Sequence, residues 1–274
     1  MISFPLYNID NQHIDSIIKQ CETLACENAA NAELLHSLLS FVDLTSLNGN
    51  DTTASIDKLC DLALAVPGGV AAVCVYPPFV KQVRKRLEGT SIKTAAVAGA
   101  FPSGQSPIEV KTAEVSWTVA QGAEEIDMVI SRGKMLEKHY DIVSSEIRDI
   151  RAACGNAHLK VILETGELDS LATIRKASEI ALLAGGHFIK TSTGKISPAA
   201  TPEAAIVMCE TLRDFYEISG IKAGFKPAGG IQTPEQALLY YFIVKTILGD
   251  EWLTPYLFRI GASRLVNNIL EKIS

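Results

Sequence analysis

The sequence predicts an α/β fold, a single (β/α)8 barrel preceded by an extra N-terminal helical segment. Three observations predict it. Eight short apolar runs, β-branched or bounded by Gly and Pro, are spread along the 274 residues, with room for one helix between each pair. The stretches between them carry helix start signals. No GxGxxG or GxxxxGK[ST] follows the first run, which disfavours the open doubly wound sheet. Alternating strands and helices build a parallel sheet with right-handed crossovers. A hydrophobic fraction of 47% supplies a large core, and barrels of this length close as one domain.

Taken in order, Ile14, Ile17, Ile18 and Cys21 mark a helix ahead of the first strand. Residues 1–39 are therefore read as a helical cover and 40–274 as the barrel, within one domain spanning 1–274. The strands start at Phe41 (FVDLTSL), Ala71 (AAVCVY), Lys93 (KTAAVAG) and Glu125 (EIDMVIS). They continue at Lys160 (KVILET), His187 (HFIKTS), Lys222 (KAGFKP) and Leu257 (LFRIGAS). The seventh is weak, because Gly224 and Pro227 interrupt it. Ser106-Pro107-Ile108-Glu109 and Thr233-Pro234-Glu235-Gln236 read as a hydroxyl N-cap, proline at N1 and a capping-box partner at N3. Thr201-Pro202-Glu203 offers cap and proline. Leu168, Leu171, Ile174, Ala177 and Ala181 share one helical face, and Gly185 stands where a C-terminal glycine belongs.

Composition excludes several classes. A formal charge of −6 without a basic, aromatic-interleaved tract argues against nucleic-acid binding. Leu62–Val80 is uncharged and long enough to span a bilayer, but Pro67-Gly68-Gly69 breaks it and Pro77-Pro78 closes it, so it reads as a helix end, a turn and a buried strand. MISFPLYNIDNQH has neither a basic leader nor a long apolar region, so no secretory signal is expected. Six cysteines with no CxxC pair and five scattered histidines suggest neither a disulfide framework nor a metal site. A reducing, cytoplasmic setting is expected.

The informative feature is where the charges fall. In HFIKTSTGK, Lys190 follows Phe188 and Ile189, where an ammonium costs several kcal/mol unless something compensates. Side chains alternate across a strand. Alternation groups Asp127 with Glu125 and Val129, Asp43 with Phe41 and Thr45, Lys160 with Ile162 and Glu164, Lys190 with Phe188, and Lys226 with Gly224. If those faces point inward, Asp43, Asp127, Glu164, Lys160, Lys190 and Lys226 meet as three anions and three cations. A structural ion network would place them the same way. Chemistry also asks for such a set. An amine attacks a carbonyl only when unprotonated, and burial beside a second ammonium lowers its pKa. A nearby carboxylate shuttles the protons of imine formation. Two lysines and an aspartate thus make a minimal Schiff-base set, and alternation leaves open which lysine attacks.

The glycine loops add a second expectation. Gly229-Gly230 lies between the seventh run and a capped helix, STGK follows the sixth run, and GAS, with Gly261 and Ser263, ends the eighth. Loops after the last strands of such barrels often hold phosphate on backbone N–H groups, so an anionic ligand is expected there.

These same motifs carry a resemblance. KVILETGEL, FIKTSTGK, GFKPAGGIQT and RIGAS, together with FVDLTSLN, VCVYPPFV, AVAGAFPSGQ and AEEIDMVI in the same order, resemble the deoxyribose-phosphate aldolase family over roughly residues 40–270. The resemblance implies a (β/α)8 class I aldolase with no metal or organic cofactor. It would reversibly cleave 2-deoxy-D-ribose 5-phosphate to acetaldehyde and D-glyceraldehyde 3-phosphate, in deoxynucleoside catabolism. It implies Lys190 as the Schiff-base nucleophile, Lys226 as the neighbour depressing its pKa, and Asp127 as the proton-relay acid. Asp43, Thr45, Cys74 and Lys160 match positions lining the family's site, with Cys74 bordering the aldehyde pocket. Thr193, Gly194, Lys195, Gly229, Gly230 and Ser263 match substrate and phosphate contacts. The partners implied are a small sugar phosphate and a second copy in a homodimer, with no nucleic acid or membrane.

Three positions depart from the family pattern. Arg264 follows GAS where many members carry a second serine, Gln232 stands where some carry arginine, and the chain ends NNILEKIS in place of a longer tyrosine-ended tail. These departures bear on phosphate contacts and turnover rate, not on reaction type. A transaldolase-like barrel would not predict the second lysine in GFKPAGG. A non-catalytic sugar-phosphate sensor needs no neutral amine, and a metal-dependent aldolase would want a histidine cluster.

Overall fold

The computed structural model describes residues 3–273. Its eight strands are β1 (Val42–Thr45), β2 (Ala72–Val75), β3 (Lys93–Val97) and β4 (Glu125–Val129), then β5 (His158–Ile162), β6 (Phe188–Lys190), β7 (Gly224–Lys226) and β8 (Ile260–Ala262). All neighbours pair in parallel in the order β7-β6-β5-β4-β3-β2-β1-β8. The ring closes between β7 and β8 through bridges from Phe225 to Phe258 and from Ala228 to Gly261. Each predicted run coincides with one strand, although β5 begins two residues ahead of its run, at His158, and the interrupted seventh contributes three residues.

The helices are α1 (Asn11–Glu27), α2 (Ala32–Leu39), α3 (Thr53–Ala65), α4 (Val80–Arg86), α5 (Ile108–Ala120) and α6 (Arg132–Leu136). They continue with α7 (Tyr140–Ala153), α8 (Leu171–Leu183), α9 (Pro202–Ser219), α10 (Pro234–Leu248) and α11 (Leu265–Ile273). In α1 the Asp10 side chain caps His13 N–H, and Ile14, Ile17, Cys21 and Ala25 are buried against α9 and α10. The N-terminal segment holds a second helix, α2, which the sequence reading did not separate. Asn31 caps it, and Leu35, Leu38 and Leu39 are buried. Among the described residues no helix is long and apolar enough to cross a membrane.

The start signals are met unevenly. Thr201 caps Ala204 N–H at the start of α9, and Thr233 with Gln236 forms the full capping box of α10. Gly185 takes the left-handed conformation (φ +95°) after α8, as a C-terminal glycine should, whereas Leu168 lies ahead of that helix. The box expected at Ser106 does not form. Pro107 is extended (ψ 148°) and itself occupies the N-cap without a side-chain cap, because Ser106-Pro107 runs out along the loop leaving β3. The first-turn N–H groups of Val110 and Lys111 bond to the Pro107 carbonyl instead.

Outward strand residues such as Val73, Ile126, Val161 and Ile189 form the main core with the helices. Inside the ring, one side is small and apolar: Ala72, Cys74, Ala95 and Val97 pack with Leu47. The other side is charged. Gly224 explains the gap in the seventh run, since a Cβ there would sit 2.2 Å from the Phe188 ring. The ring of β6 occupies the space a β7 side chain would fill. Gly224→Ala is therefore expected to cost about 1–3 kcal/mol of stability through overpacking. Thermal melting reads this as a lowered Tm, and an unchanged Tm would mean the ring can relocate freely.

Candidate active site

Seven ionisable side chains converge inside the barrel. Alternation along β4 directs Glu125 and Asp127 inward, and pairing sets Asp127 beside Lys160 of β5 and Lys190 of β6 beside Lys226 of β7. Lys190 Nζ donates to Asp127 Oδ2 at 2.7 Å, and Lys226 Nζ donates to the same oxygen at 2.7 Å. The two amines thus lie within two hydrogen-bond lengths of each other. Lys226 also donates to Asp43 Oδ2 at 2.5 Å. Lys160 Nζ reaches Glu125 Oε2 at 2.5 Å, Asp127 Oδ1 at 3.0 Å and Asp43 Oδ2 at 3.7 Å. Below them, Arg259 donates to Asp43 Oδ1 at 2.6 Å and to Glu125 Oε1 at 2.7 Å. All seven are buried.

Alternation foresaw five of the seven. Glu164 does not join them. The chain turns into a left-handed conformation at Glu164 (φ 56°), which ends the strand's alternation and swings the carboxylate to the rim. There it accepts from Thr193 N–H at 3.0 Å, from Thr193 Oγ1 at 2.5 Å and from Arg132 at 3.1 Å. Glu125 and Arg259 take part instead. The sequence reading placed Glu125 on the face of Asp127 without counting it. Arg259 went unnoticed, although it stands two residues before Gly261 and so shares its inward face.

The two lysines beside Asp127 differ in their electrostatics. For Lys190, burial is the largest influence and pushes the pKa down; Asp127 pulls it up, Lys226 pushes it down again, and the result is lowered. For Lys226, burial also pushes down, but Asp127 and Asp43 together outweigh it and the pKa is raised. Lys160 is raised for the same reason, by Asp127, Glu125 and Asp43 against burial. Desolvation raises the Asp127 carboxyl, yet Lys160, Lys190 and Lys226 overcome it and hold it well below the ordinary range. Cys74, a buried thiol on the apolar side, is pushed up to about 11 by burial.

A cavity of about 450 Å³ opens at the C-terminal ends of the strands, between the loops after β1, β6, β7 and β8. Of the charged cluster, only Lys190 lines it. The other predicted residues divide by depth. Thr45, Thr193, Gly194, Lys195, Gly229, Gly230 and Ser263 line the cavity. Asp43, Cys74, Lys160, Lys226 and Asp127 lie beneath its floor. Thr193 gives its hydroxyl to Glu164 and accepts from Lys195 N–H at 3.1 Å, so it shapes the loop. Lys195 Nζ donates to the Leu47 carbonyl across the mouth. Gly229 and Gly230 are left-handed (φ 85° and 81°), and a Cβ on Gly229 would meet Ala199 Cβ at 2.6 Å. Among the described residues, the N–H groups of Gly194, Gly229 and Gly230 take no protein acceptor, the kind of arrangement that can receive an anion. The expected helix start is less open than its sequence implies, since Gln236 Oε1 already accepts from Gln232 and Thr233 N–H. Gln232 lines the cavity, whereas Arg264 is exposed outside it.

Comparison with known proteins identifies the family. Residues 37–247 match the family described as DeoC/LacD family aldolase. The chain is 46% identical to the deoxyribose-phosphate aldolase of Mus musculus over 258 residues, covering 88% of this chain and 81% of that protein. It is 43% identical to the deoxyribose-phosphate aldolase of Homo sapiens over 278 residues, covering 94% and 87%. A solved structure from Coccidioides immitis aligns with a TM-score of 0.75 at 29% identity, over 95% of this chain and 98% of that one.

Proposed function

The chain belongs to the DeoC/LacD family of aldolases, and from that premise we propose that it is a deoxyribose-phosphate aldolase acting through a Schiff base on Lys190. It reversibly cleaves 2-deoxy-D-ribose 5-phosphate to acetaldehyde and D-glyceraldehyde 3-phosphate, in deoxyribose catabolism. The observation that carries the assignment to Lys190 is its position. It alone of the charged cluster faces the cavity, and it alone of the three clustered lysines is held below its ordinary pKa.

Lys190, as free amine, adds to the C1 aldehyde of the open-chain sugar, and the carbinolamine takes up a proton from solvent and loses water to form an iminium. The iminium draws electrons from the breaking C2–C3 bond. Asp127, ionised and 2.7 Å from the nucleophile, takes the C3 hydroxyl proton through water as glyceraldehyde 3-phosphate leaves. The remaining enamine is protonated at carbon, and hydrolysis releases acetaldehyde and the amine. Lys226 stays protonated and disfavours a second ammonium beside it. Phosphate on the N–H groups of Gly194, Gly229 and Gly230 anchors the substrate away from the reacting carbons. A reducing cytoplasmic setting belongs to the same reading, supported by six free cysteines. The homodimer rests on the family resemblance, and sedimentation would test it.

Incubation with acetaldehyde and sodium cyanoborohydride, followed by peptide mass spectrometry, tests the chemistry. A two-carbon adduct confined to Lys190 is expected. An adduct on Lys226 would reverse the two lysines. Binding of deoxyribose 5-phosphate with no selective adduct would favour a sugar-phosphate sensor and end the aldolase reading.

A further inference from the structure

Resting on that reading, the buried cluster raises a further question: why is Lys190, and not another of its cations, the one held below its ordinary pKa? It holds three carboxylates, Asp43, Glu125 and Asp127, but four cationic side chains, Lys160, Lys190, Lys226 and Arg259. In a water-poor interior an unmatched charge is costly, so one cation is better off neutral. Arg259 cannot release its proton under these conditions. Lys160 contacts three carboxylates and Lys226 contacts two. Lys190 contacts one, Asp127, and shares that oxygen with Lys226.

We propose that Arg259 is a positioning residue: as the fourth cation against three carboxylates, it makes Lys190 the member of the cluster that rests as a free amine. Arg259 does not touch the cavity. It acts through Asp43 and Glu125, whose charge it occupies from below, so that neither is left to balance an ammonium at Lys190. The titratable groups facing Lys190 are Asp127 of β4, Lys226 of β7 and Cys74 of β2, with Asp43 of β1, Lys160 of β5 and Glu125 of β4 a layer further. The inward positions of β3, Ala95 and Val97, carry no charge. Lys195 is exposed at the mouth, where water screens it.

The test is the pH profile of kcat/KM for deoxyribose 5-phosphate cleavage, whose acid limb reports groups titrating in the free enzyme. Arg259→Met leaves three ammoniums to three carboxylates, so the acid limb should move up by about one pH unit or more. Arg259→Lys keeps the charge and should leave the limb near its wild-type position. Arg259→Met with Glu125→Gln removes one charge of each sign. It restores a single excess cation, and the limb should return toward wild type even if Arg259→Met alone folds poorly. A uniform loss of activity across pH in Arg259→Met with an unmoved limb would overturn the proposal. So would failure of the double variant to recover the limb. If the wild type forms no adduct at Lys190 with acetaldehyde and cyanoborohydride, it is the aldolase reading that fails. If the adduct forms and the limb ignores Arg259, only this proposal does.

Discussion

A Lys190→Met variant should lose cleavage of deoxyribose 5-phosphate by a factor on the order of 10⁴ or more, while melting no lower than the wild type. The loss follows because no other side chain of the cluster reaches the cavity, and Lys195, the other lysine lining it, is exposed at the mouth with its amine on the Leu47 carbonyl. The retained stability is the less obvious half. The native fold lowers the Lys190 pKa, which means that at neutral pH folding acts against the protonated form favoured in the unfolded chain. A base whose folded pKa is depressed costs stability below its unfolded value, about 10.4, and stops costing it above. Methionine of similar length removes that cost, and replacing a buried charge with an apolar group of similar volume is often neutral or stabilising. Parallel assays of turnover and thermal melting check both halves. Substantial residual turnover would point to Lys226 as an alternative nucleophile, and a large fall in Tm would mean the amine is a structural member of the network.

Asp127→Asn should fail in both respects at once. Its carboxylate is the shared acceptor of Lys160, Lys190 and Lys226, and an amide keeps the shape but not the charge. If Asp127 shuttles the proton as proposed, its loss is expected to reduce kcat by roughly 10²–10⁴. Leaving buried ammoniums short of a partner is expected to cost about 3–5 kcal/mol. The pH dependence identifies the cause. In the wild type, Asp127 and Asp43 are held below their ordinary range. Their contribution is present above about pH 4 and lost as pH falls through the folded pKa values. Lys160 and Lys226 are held above theirs, so their contribution is present below about pH 10.4 and lost as pH rises through the folded values. In Asp127→Asn the lysines lose the partner that held them up. Where their folded pKa drops below about 10.4, stability must rise with pH toward that value. Denaturant titrations at neutral and alkaline pH would show the variant gaining relative to wild type. A constant deficit across that range would mean packing, not charge, was lost.

Much of this site was legible before folding because two simple periodicities hold. Strand alternation is a local property, so it brought Asp43, Asp127, Lys160, Lys190 and Lys226 to one interior. It broke at Glu164, where a single left-handed residue reverses the direction of the side chain. The same alternation extends to Arg259, two residues before Gly261 and just ahead of β8, but an arginine with no acidic neighbour in sequence gives no sign of what it pairs with. Its partners lie 216 and 134 residues away. Likewise Ser106 had the residues of a cap, but whether proline starts a helix or extends a loop depends on the backbone conformation it takes.

By itself the sequence indicated eight alternating strand–helix units, a closed parallel barrel and which strand residues share a face, because these follow from nearest-neighbour geometry and hydrophobic pattern. Only the tertiary structure decided which lysine faces the cavity, which carboxylate each cation shares and how many charges the interior holds. Those are sums over contacts between distant strands, and Coulomb energies in a buried site depend on every charge within a few ångströms, not on the order in which the chain supplies them.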